Sequence, residues 1–341
     1  MKKLGFAIVG CGNILSSHGD GVLGTPEAEL ICVVDTDEPK AKAAAEKYKT
    51  KYYTSIKDML KDPAVDVVTI ALPSGLHMNA AIEAMESGKH VISEKPLEIT
   101  LEKIDKMIAV SKKTKKYLAG IFQSRFMDSS LSIRKAIQDG QLGKMVLGDA
   151  YQKWYRSAEY YKSAGWRATW ELDGGGALMN QAIHAIDLLM FFMGEVESVT
   201  AYAETLVHKI PVEDTAVAIL RFKSGALGTI EGTTSVCPGE ERRLEVHGTK
   251  GTVILTGMEK ILWKLEGQPV KEEGNKTEGG VADPKAITKK GHTAQFNAFT
   301  KAILAGEVPP VTAEESRKSV ELILAIYKSA KERREIKLPL K

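Results

Sequence analysis

The chain has 341 residues, 43% hydrophobic and 27% charged, which predicts roughly two domains with ample core. A net charge of +3, evenly spread, argues against nucleic acid as a partner, and no apolar run approaches the ~20 residues of a membrane helix. Cys11, Cys32 and Cys237 show neither zinc-site spacing nor a disulfide framework, so the expectation is a cytoplasmic enzyme without a bound metal.

The start, MKKLGFAIVGCG, is basic and then apolar like a signal peptide, but its apolar run is short and breaks into glycines, so it reads as a first strand, Leu4 to Val9. The turn that follows, Gly10-Cys11-Gly12-Asn13-Ile14-Leu15, is G-x-G-x-x-L. A glycine turn between strand and helix lets backbone approach a pyrophosphate, whose charge the helix N-terminus favours. The third small residue of that pattern is missing. A second strand over 29–34 ends at Asp35, where a carboxylate can accept both ribose hydroxyls of NAD and would repel the 2′-phosphate of NADP. Asp35 could instead cap the helix beginning near Glu38.

Alternation then continues: a helix over 40–48, a strand over 51–53, a helix over 55–60 and a near-continuous apolar strand over 65–71. That strand ends in the loop Leu72-Pro73-Ser74-Gly75-Leu76-His77, followed by a helix over 77–87 stopped by Gly88. In the stretch from Lys89 to Leu97, the strand 90–93 runs into Glu94-Lys95-Pro96. Pro96 has no N–H and pushes Lys95 towards extended backbone, so the strand should stop there. Lys95 is then either half of a solvated ion pair or a chemical group at the carboxyl edge of a sheet. A helix from Leu101 and a strand over 117–122 complete a doubly wound parallel sheet, a dinucleotide-binding domain over 1–122.

From 123 to 341 the rhythm changes. A helix over 129–138 and a long strand over 144–156 lead into a cluster of aromatics: Tyr151, Trp154, Tyr155, Tyr160, Tyr161, Trp166 and Trp170. These either stack on a sugar or pack as core and interface. Arg167 could pair with a carboxylate, a phosphate or a local acid. Gly174-Gly175-Gly176 introduces a helix over 177–193 that is apolar almost all round, so it should be buried. Asn180, His184 and Asp187 fall within about 60° of one another on its α-helical wheel. They must satisfy one another and the backbone or face a polar pocket. Six β-type runs between 196 and 265 predict a large, mostly antiparallel sheet with one face on that helix. A polar loop over 267–290 and amphipathic helices over 292–304 and 314–332 close the chain.

Taken in order, AIVGCGNI with His18, LPSGLH at 72–77, SGKHVISEKP at 87–96, FQSRF at 122–126 and GGGALMNQAIHAIDLL at 174–189 resemble the Gfo/Idh/MocA oxidoreductases, over nearly the whole chain. The resemblance implies a Rossmann domain and an open-sheet α/β domain whose exposed face forms subunit interfaces, hence a homodimer or homotetramer, with the last helices packing on the N-terminal domain. It implies NAD rather than NADP, bound by Gly10, Gly12, Asn13, Ile14, Asp35, Pro73, Ser74, His77, Glu94, Lys95 and Arg125. It makes Lys95 and His184 catalytic. Asn180 stands where an aspartate is usual and can orient a hydroxyl but cannot be a base, and Asp187 is expected to support His184. Tyr155, Trp166 and Arg167 join Asn180 and Asp187 as the expected substrate contacts. The implied reaction moves a hydride between nicotinamide and a secondary hydroxyl of a sugar, cyclitol or nucleotide-sugar. Two alternatives are a redox-neutral sugar conversion on tightly held NAD and a non-catalytic, dinucleotide-sensing regulator.

Overall fold

Short apolar runs separated by helices build the first sheet. The structure, a computed structural model, describes residues 3–275 and 290–340. Strands β1 (Leu4–Val9), β2 (Ala28–Val34), β3 (Lys51–Tyr53), β4 (Val67–Ile70), β5 (His90–Ser93) and β6 (Leu118–Gly120) lie in the order β3-β2-β1-β4-β5-β6. Every pairing is parallel. All positions of β1 and β4 are buried, as a sheet covered on both faces requires. Helices α1 (Leu15–Leu23), α2 (Glu38–Tyr48), α3 (Ile56–Met59), α4 (His77–Glu86) and α5 (Leu101–Thr114) make the crossovers. The order reverses between β1 and β4, so the crevice of this Rossmann sheet opens at their carboxyl ends. Leu15 occupies the place of the missing third small residue. The close approach comes one turn later, at Gly19, where an added Cβ would lie 2.4 Å from Tyr48 Cζ at the end of α2.

The chain returns to this unit, which comprises Met1–Gln123 with Lys289–Lys318. Helix α9 (Lys290–Ala305) places Phe296 and Phe299, both fully buried, in the same core as Phe6, Ile8 and Val33. Each such burial contributes about 1.5–3 kcal/mol. Gln295 locks the helix in register: its Oε1 accepts from Phe122 N at 3.0 Å and its Nε2 donates to Gly120 O at 2.8 Å.

The second unit comprises Ser124–Thr288 with Ser319–Lys341. It contains α6 (Asp128–Gln138), β7 (Met145–Lys153), α7 (Ala158–Lys162), α8 (Ile183–Met193), β8 (Val196–Glu204), β9 (Thr215–Phe222), β10 (Leu227–Thr233), β11 (Arg243–Gly248), β12 (Gly251–Thr256), β13 (Lys260–Leu265) and β14 (Lys271–Glu273). The chain ends in α10 (Ala313–Glu332) and β15 (Ile336–Lys337). The sheet order is β14-β13-β12-β11-β7-β10-β9-β8-β15, antiparallel throughout except that β7 and β10 run parallel. A parallel pair needs a crossover rather than a hairpin, and the chain between β7 and β10 supplies it through α8.

Inward residues of β9 are buried (Ala218, Leu220, Phe222), while Val217 and Ile219 on the other face are 46% and 60% exposed. Small residues bring the helix layer close: a Cβ at Gly148 would lie 2.5 Å from Met193 Cγ, and one at Gly232 would lie 2.4 Å from Leu178 Cδ2. The polar loop expected over 267–290 begins instead with β14, and its remainder from 276 to 289 lies outside the described residues. Among the described residues, no helix is long and apolar enough to cross a membrane.

Candidate active site

In the first unit, β1 delivers the glycine turn to the carboxyl edge of the sheet. Gly10 has φ +104°, and a Cβ there would meet Ala71 O at 2.4 Å, so only glycine fits. Gly12 is different: nothing lies within 4 Å of its absent Cβ. That open approach, beside the exposed Asn13 and ahead of a helix with no side-chain cap at Ile14, is the cradle a pyrophosphate needs. Asp35 closes the turn, with Oδ2 accepting from Cys11 N at 2.8 Å and Oδ1 from Asp37 N at 2.9 Å. It is not the cap of α2, a task performed by Asp37, which accepts from Lys40 N. Each carboxylate oxygen keeps a lone pair for a ribose hydroxyl. The residues present therefore fit a dinucleotide.

Two loops meet at the ends of β4 and β5. The Lys95-Pro96 bond is cis, and Lys95 itself is half-buried. Glu94 turns inward: Oε2 accepts from Lys95 N at 3.1 Å, and Oε1 lies 3.0 Å from His18 Nε2 and 3.6 Å from His292 Nε2. Burial alone would raise the Glu94 pKa, but hydrogen bonds and charges from His18 and His292 hold it well below the carboxylate range. Burial lowers the His18 pKa. His18 bridges the corner, with Nε2 3.0 Å from Glu94 Oε1 and Nδ1 2.7 Å from Thr69 Oγ1. His77 is fully buried, with Nδ1 2.9 Å from Pro96 O and Nε2 2.9 Å from Leu72 O. The polar atoms of Glu94 and His77 thus hydrogen-bond the backbone and histidine that shape the corner. Pro73 stands half-buried and Ser74 buried in the loop His77 clamps.

In the second unit, the expected helix begins as a π-helical segment, Ala177–Ala182, before α8. A π turn takes an extra residue, so the α-helical wheel that put Asn180, His184 and Asp187 on one stripe does not apply across it. Asn180 and His184 are half-buried, whereas Asp187 is fully buried. Asp187 accepts from Arg125 Nε and Nη2, both at 2.7 Å, and from Ser319 Oγ at 3.0 Å. The bidentate pair, buried at Asp187, ties α8 to the segment carrying Arg125. Asn180 donates from Nδ2 to Asp173 Oδ1 at 2.6 Å and accepts at Oδ1 from Gln181 Nε2 at 2.5 Å. Gln181 Nε2 also donates to the Tyr160 hydroxyl at 2.9 Å, and Arg167 Nη1 donates to the same oxygen at 2.6 Å. Tyr155 bridges to Ser235, and Trp166 lies under the Arg167 guanidinium, 4.8 Å from ring centre to Cζ.

Sequence reasoning passed over Asp173, Gln181 and Arg156, and held Tyr160 only as one of the clustered aromatics. Only Asp173 left a signal, an acid directly before the glycine run. Among the described residues, no cluster of His, Cys, Asp and Glu is arranged to hold a metal.

A Rossmann crevice with an acid at the end of β2, followed by an open mixed sheet behind a buried helix, defines a dinucleotide-dependent oxidoreductase. The NAD-binding Rossmann domain of the oxidoreductase family matches residues 4–121, and the GFO/IDH/MocA C-terminal domain matches residues 130–254. The WlbA dehydrogenase of Bordetella pertussis, solved with NADH and UDP-GlcNAcA, is 34% identical over 100% of both chains, with a TM-score of 0.89. Myo-inositol 2-dehydrogenase of Thermotoga maritima is 28% identical over 97% of both chains. Inositol 2-dehydrogenase of Rhizobium meliloti is 30% identical over 73% of this chain and 74% of its own length. The chain belongs to the Gfo/Idh/MocA family: it is an NAD-dependent dehydrogenase acting on CH–OH groups.

Proposed function

We propose that the protein oxidises, reversibly, a secondary hydroxyl of a sugar, cyclitol or nucleotide-linked sugar, with Lys95 and His184 as its catalytic side chains. Relatives named for inositols and a relative bound to a UDP-sugar acid support these substrate classes. Bound NAD supplies the hydride acceptor. His184 takes the hydroxyl proton, and histidine's ordinary pKa near 6.5 suits a base at neutral pH. Lys95 polarises the hydroxyl oxygen and helps relay that proton to solvent. Asn180 orients the substrate, while Gly10, Gly12, Asn13, Ile14 and Asp35 hold the dinucleotide.

One observation carries the reading: the Lys95 corner is fixed from below by Glu94 on its amide and by His77 on the next carbonyl. Ordering a lysine at a strand end in this way is pre-organisation, which a solvated ion pair would not need. Lys95→Ala should lower NADH formation from the substrate by about 10²–10⁴-fold while NADH binding, followed by fluorescence, persists. Turnover that survives the change would overturn the assignment. Net release of NADH with a sugar separates dehydrogenation from a redox-neutral conversion.

We further propose a homodimer or homotetramer built on the open sheet face, supported by exposed Tyr202, Val217 and Ile219. A cytoplasmic location is supported by the free state of Cys11, Cys32 and Cys237.

A further inference from the structure

We infer that His18 is a positioning residue of the proposed reaction, one that sets the register between the dinucleotide cradle at the start of α1 and the Lys95 corner after β5. The inference rests on the role proposed above for Lys95 and adds a side chain that this role does not use. His18 lies one turn beyond the glycine cradle. Its backbone N–H donates to Ile14 O at 3.3 Å, and Leu15 N donates to Gly12 O at 3.1 Å, so cradle and histidine belong to one turn of backbone. The imidazole is fully buried and spans two strand ends. Its Nδ1 lies 2.7 Å from Thr69 Oγ1 in β4, and its Nε2 lies 3.0 Å from Glu94 Oε1 directly after β5. The other oxygen of that carboxylate accepts from Lys95 N at 3.1 Å. Two links in series, His18 to Glu94 and Glu94 to the Lys95 amide, therefore join the helix of the cradle to the backbone that carries the lysine.

Stability alone does not call for a histidine here. The ring meets Phe296 edge-on, with centroids 5.8 Å apart, so an apolar side chain would find a partner in the same space. Replacing a buried polar pair by apolar groups of similar volume is often neutral or stabilising. What apolar packing does not supply is direction. Hydrogen-bonded groups rigidify when every contact is made, whereas apolar side chains of the right volume can repack. His292 approaches the same Glu94 oxygen from α9 at 3.6 Å, so His18 makes the tighter of the two contacts.

The bridge ties together the supports of the two reacting partners. The cradle on α1 holds the dinucleotide, and Lys95 polarises the hydroxyl that gives up the hydride. A misplacement of about 1 Å between such partners can cost about 10²-fold in rate. His18 acts on neither partner directly. It fixes where the one support lies relative to the other.

The test is amide hydrogen exchange by mass spectrometry on the full chain saturated with NADH, read as the ratio of exchange in segment 90–97 to exchange in β1. His18→Phe fills the space and keeps neither contact, and it should raise that ratio by about tenfold. His18→Gln, whose amide can reach the Nε2 position, should fall between native and Phe. Thr69→Val is a milder change at the other end of the bridge. It should move the ratio in the same direction, and it decides the matter if His18→Phe does not fold. Val22→Ala, buried on the same helix and outside the bridge, should speed both segments together and leave the ratio unchanged. Turnover is then followed as NADH formation with myo-inositol, glucose and UDP-glucose. His18→Phe should lower kcat about 10–100-fold while KM for NAD stays within about threefold. In a Lys95→Ala background the same change should lower kcat by less than about threefold, because it acts through Lys95. An unchanged exchange ratio in both His18→Phe and Thr69→Val would overturn the positioning role, and so would an equal fall of kcat in both backgrounds. Turnover that survives Lys95→Ala, or no NADH from any sugar, would sink the proposed reaction instead, and the exchange ratio would still decide the link from His18 to Lys95.

Discussion

Glu94 and Asp187 illustrate how the same residue type acquires different work from its surroundings. Glu94 began as half of a charged pair before a proline, yet its carboxylate turns inward to the buried histidines and to the Lys95 amide. Asp187 began as an accessory to His184 and is spent on Arg125 and Ser319. Nothing in the string IHAIDLL distinguishes a carboxylate facing a ligand from one buried under an arginine. A bidentate pair with Asp187 fully buried predicts a specific penalty. Asp187→Ala should cost about 3–5 kcal/mol, because it removes both charge-assisted hydrogen bonds that the largely buried Arg125 donates to it. Urea unfolding reads this, and Arg125→Ala in the same background should add little. A loss below about 1 kcal/mol would mean the pair is no anchor.

The π-to-α helix is the element on which the second unit turns, and its start is built from outside. Glu213 Oε2 accepts from Gly176 N at 2.9 Å, and its Oε1 accepts from Leu178 N and the Tyr327 hydroxyl, each at 2.8 Å. The glycine run is explained by the same group, because a Cβ at Gly176 would lie 1.9 Å from Glu213 O. A Cβ at Gly175 would meet the Tyr327 hydroxyl at 2.3 Å. Burial raises the Glu213 pKa from 4.5 to about 7, against the pull of those three hydrogen bonds. A carboxyl raised in this way holds its proton more tightly folded than unfolded. Its stabilising effect is present below pH 4.5 and is lost as pH rises through 7, about 3 kcal/mol in all. Glu213→Gln cannot titrate and offers only one acceptor. The native protein should therefore lead it in urea midpoint at pH 5, with the lead shrinking by pH 8. A pH-independent gap would show that Glu213 stays charged throughout.

For the whole molecule, the nine-stranded sheet presents an alternation that one chain does not use up. Inward positions of β9 pack against the helix layer, while Val217 and Ile219 pair across strands with Tyr202 and Thr200 on the exposed face. The homo-oligomer proposed above rests on this exposed face with Tyr202, Val217 and Ile219. Ile219→Lys should shift the protein towards monomer in light scattering, since two symmetry-related copies would each bury a charge. An unchanged mass would exclude this face as the interface.

Local pattern alone determined the doubly wound order of short apolar strands and helices up to residue 122, the strands β7 to β13 of the second sheet and the corner at Pro96, but not β14 or β15. Those features depend on side-chain periodicity and on backbone chemistry, which neighbours in sequence control. Family motifs added Lys95 and His184 as residues to test. Tertiary structure decided the rest. It set the parallel pairing of β7 with β10, the π turn that breaks the Asn180 stripe, the inward turn of Glu94 and His77, and the gathering of Tyr160, Arg156 and Arg167 around Gln181. Each depends on partners distant in the chain or on hydrogen-bond accounting within a buried cluster. A charge on paper has no burial, and burial decides whether it serves the fold or waits for a ligand.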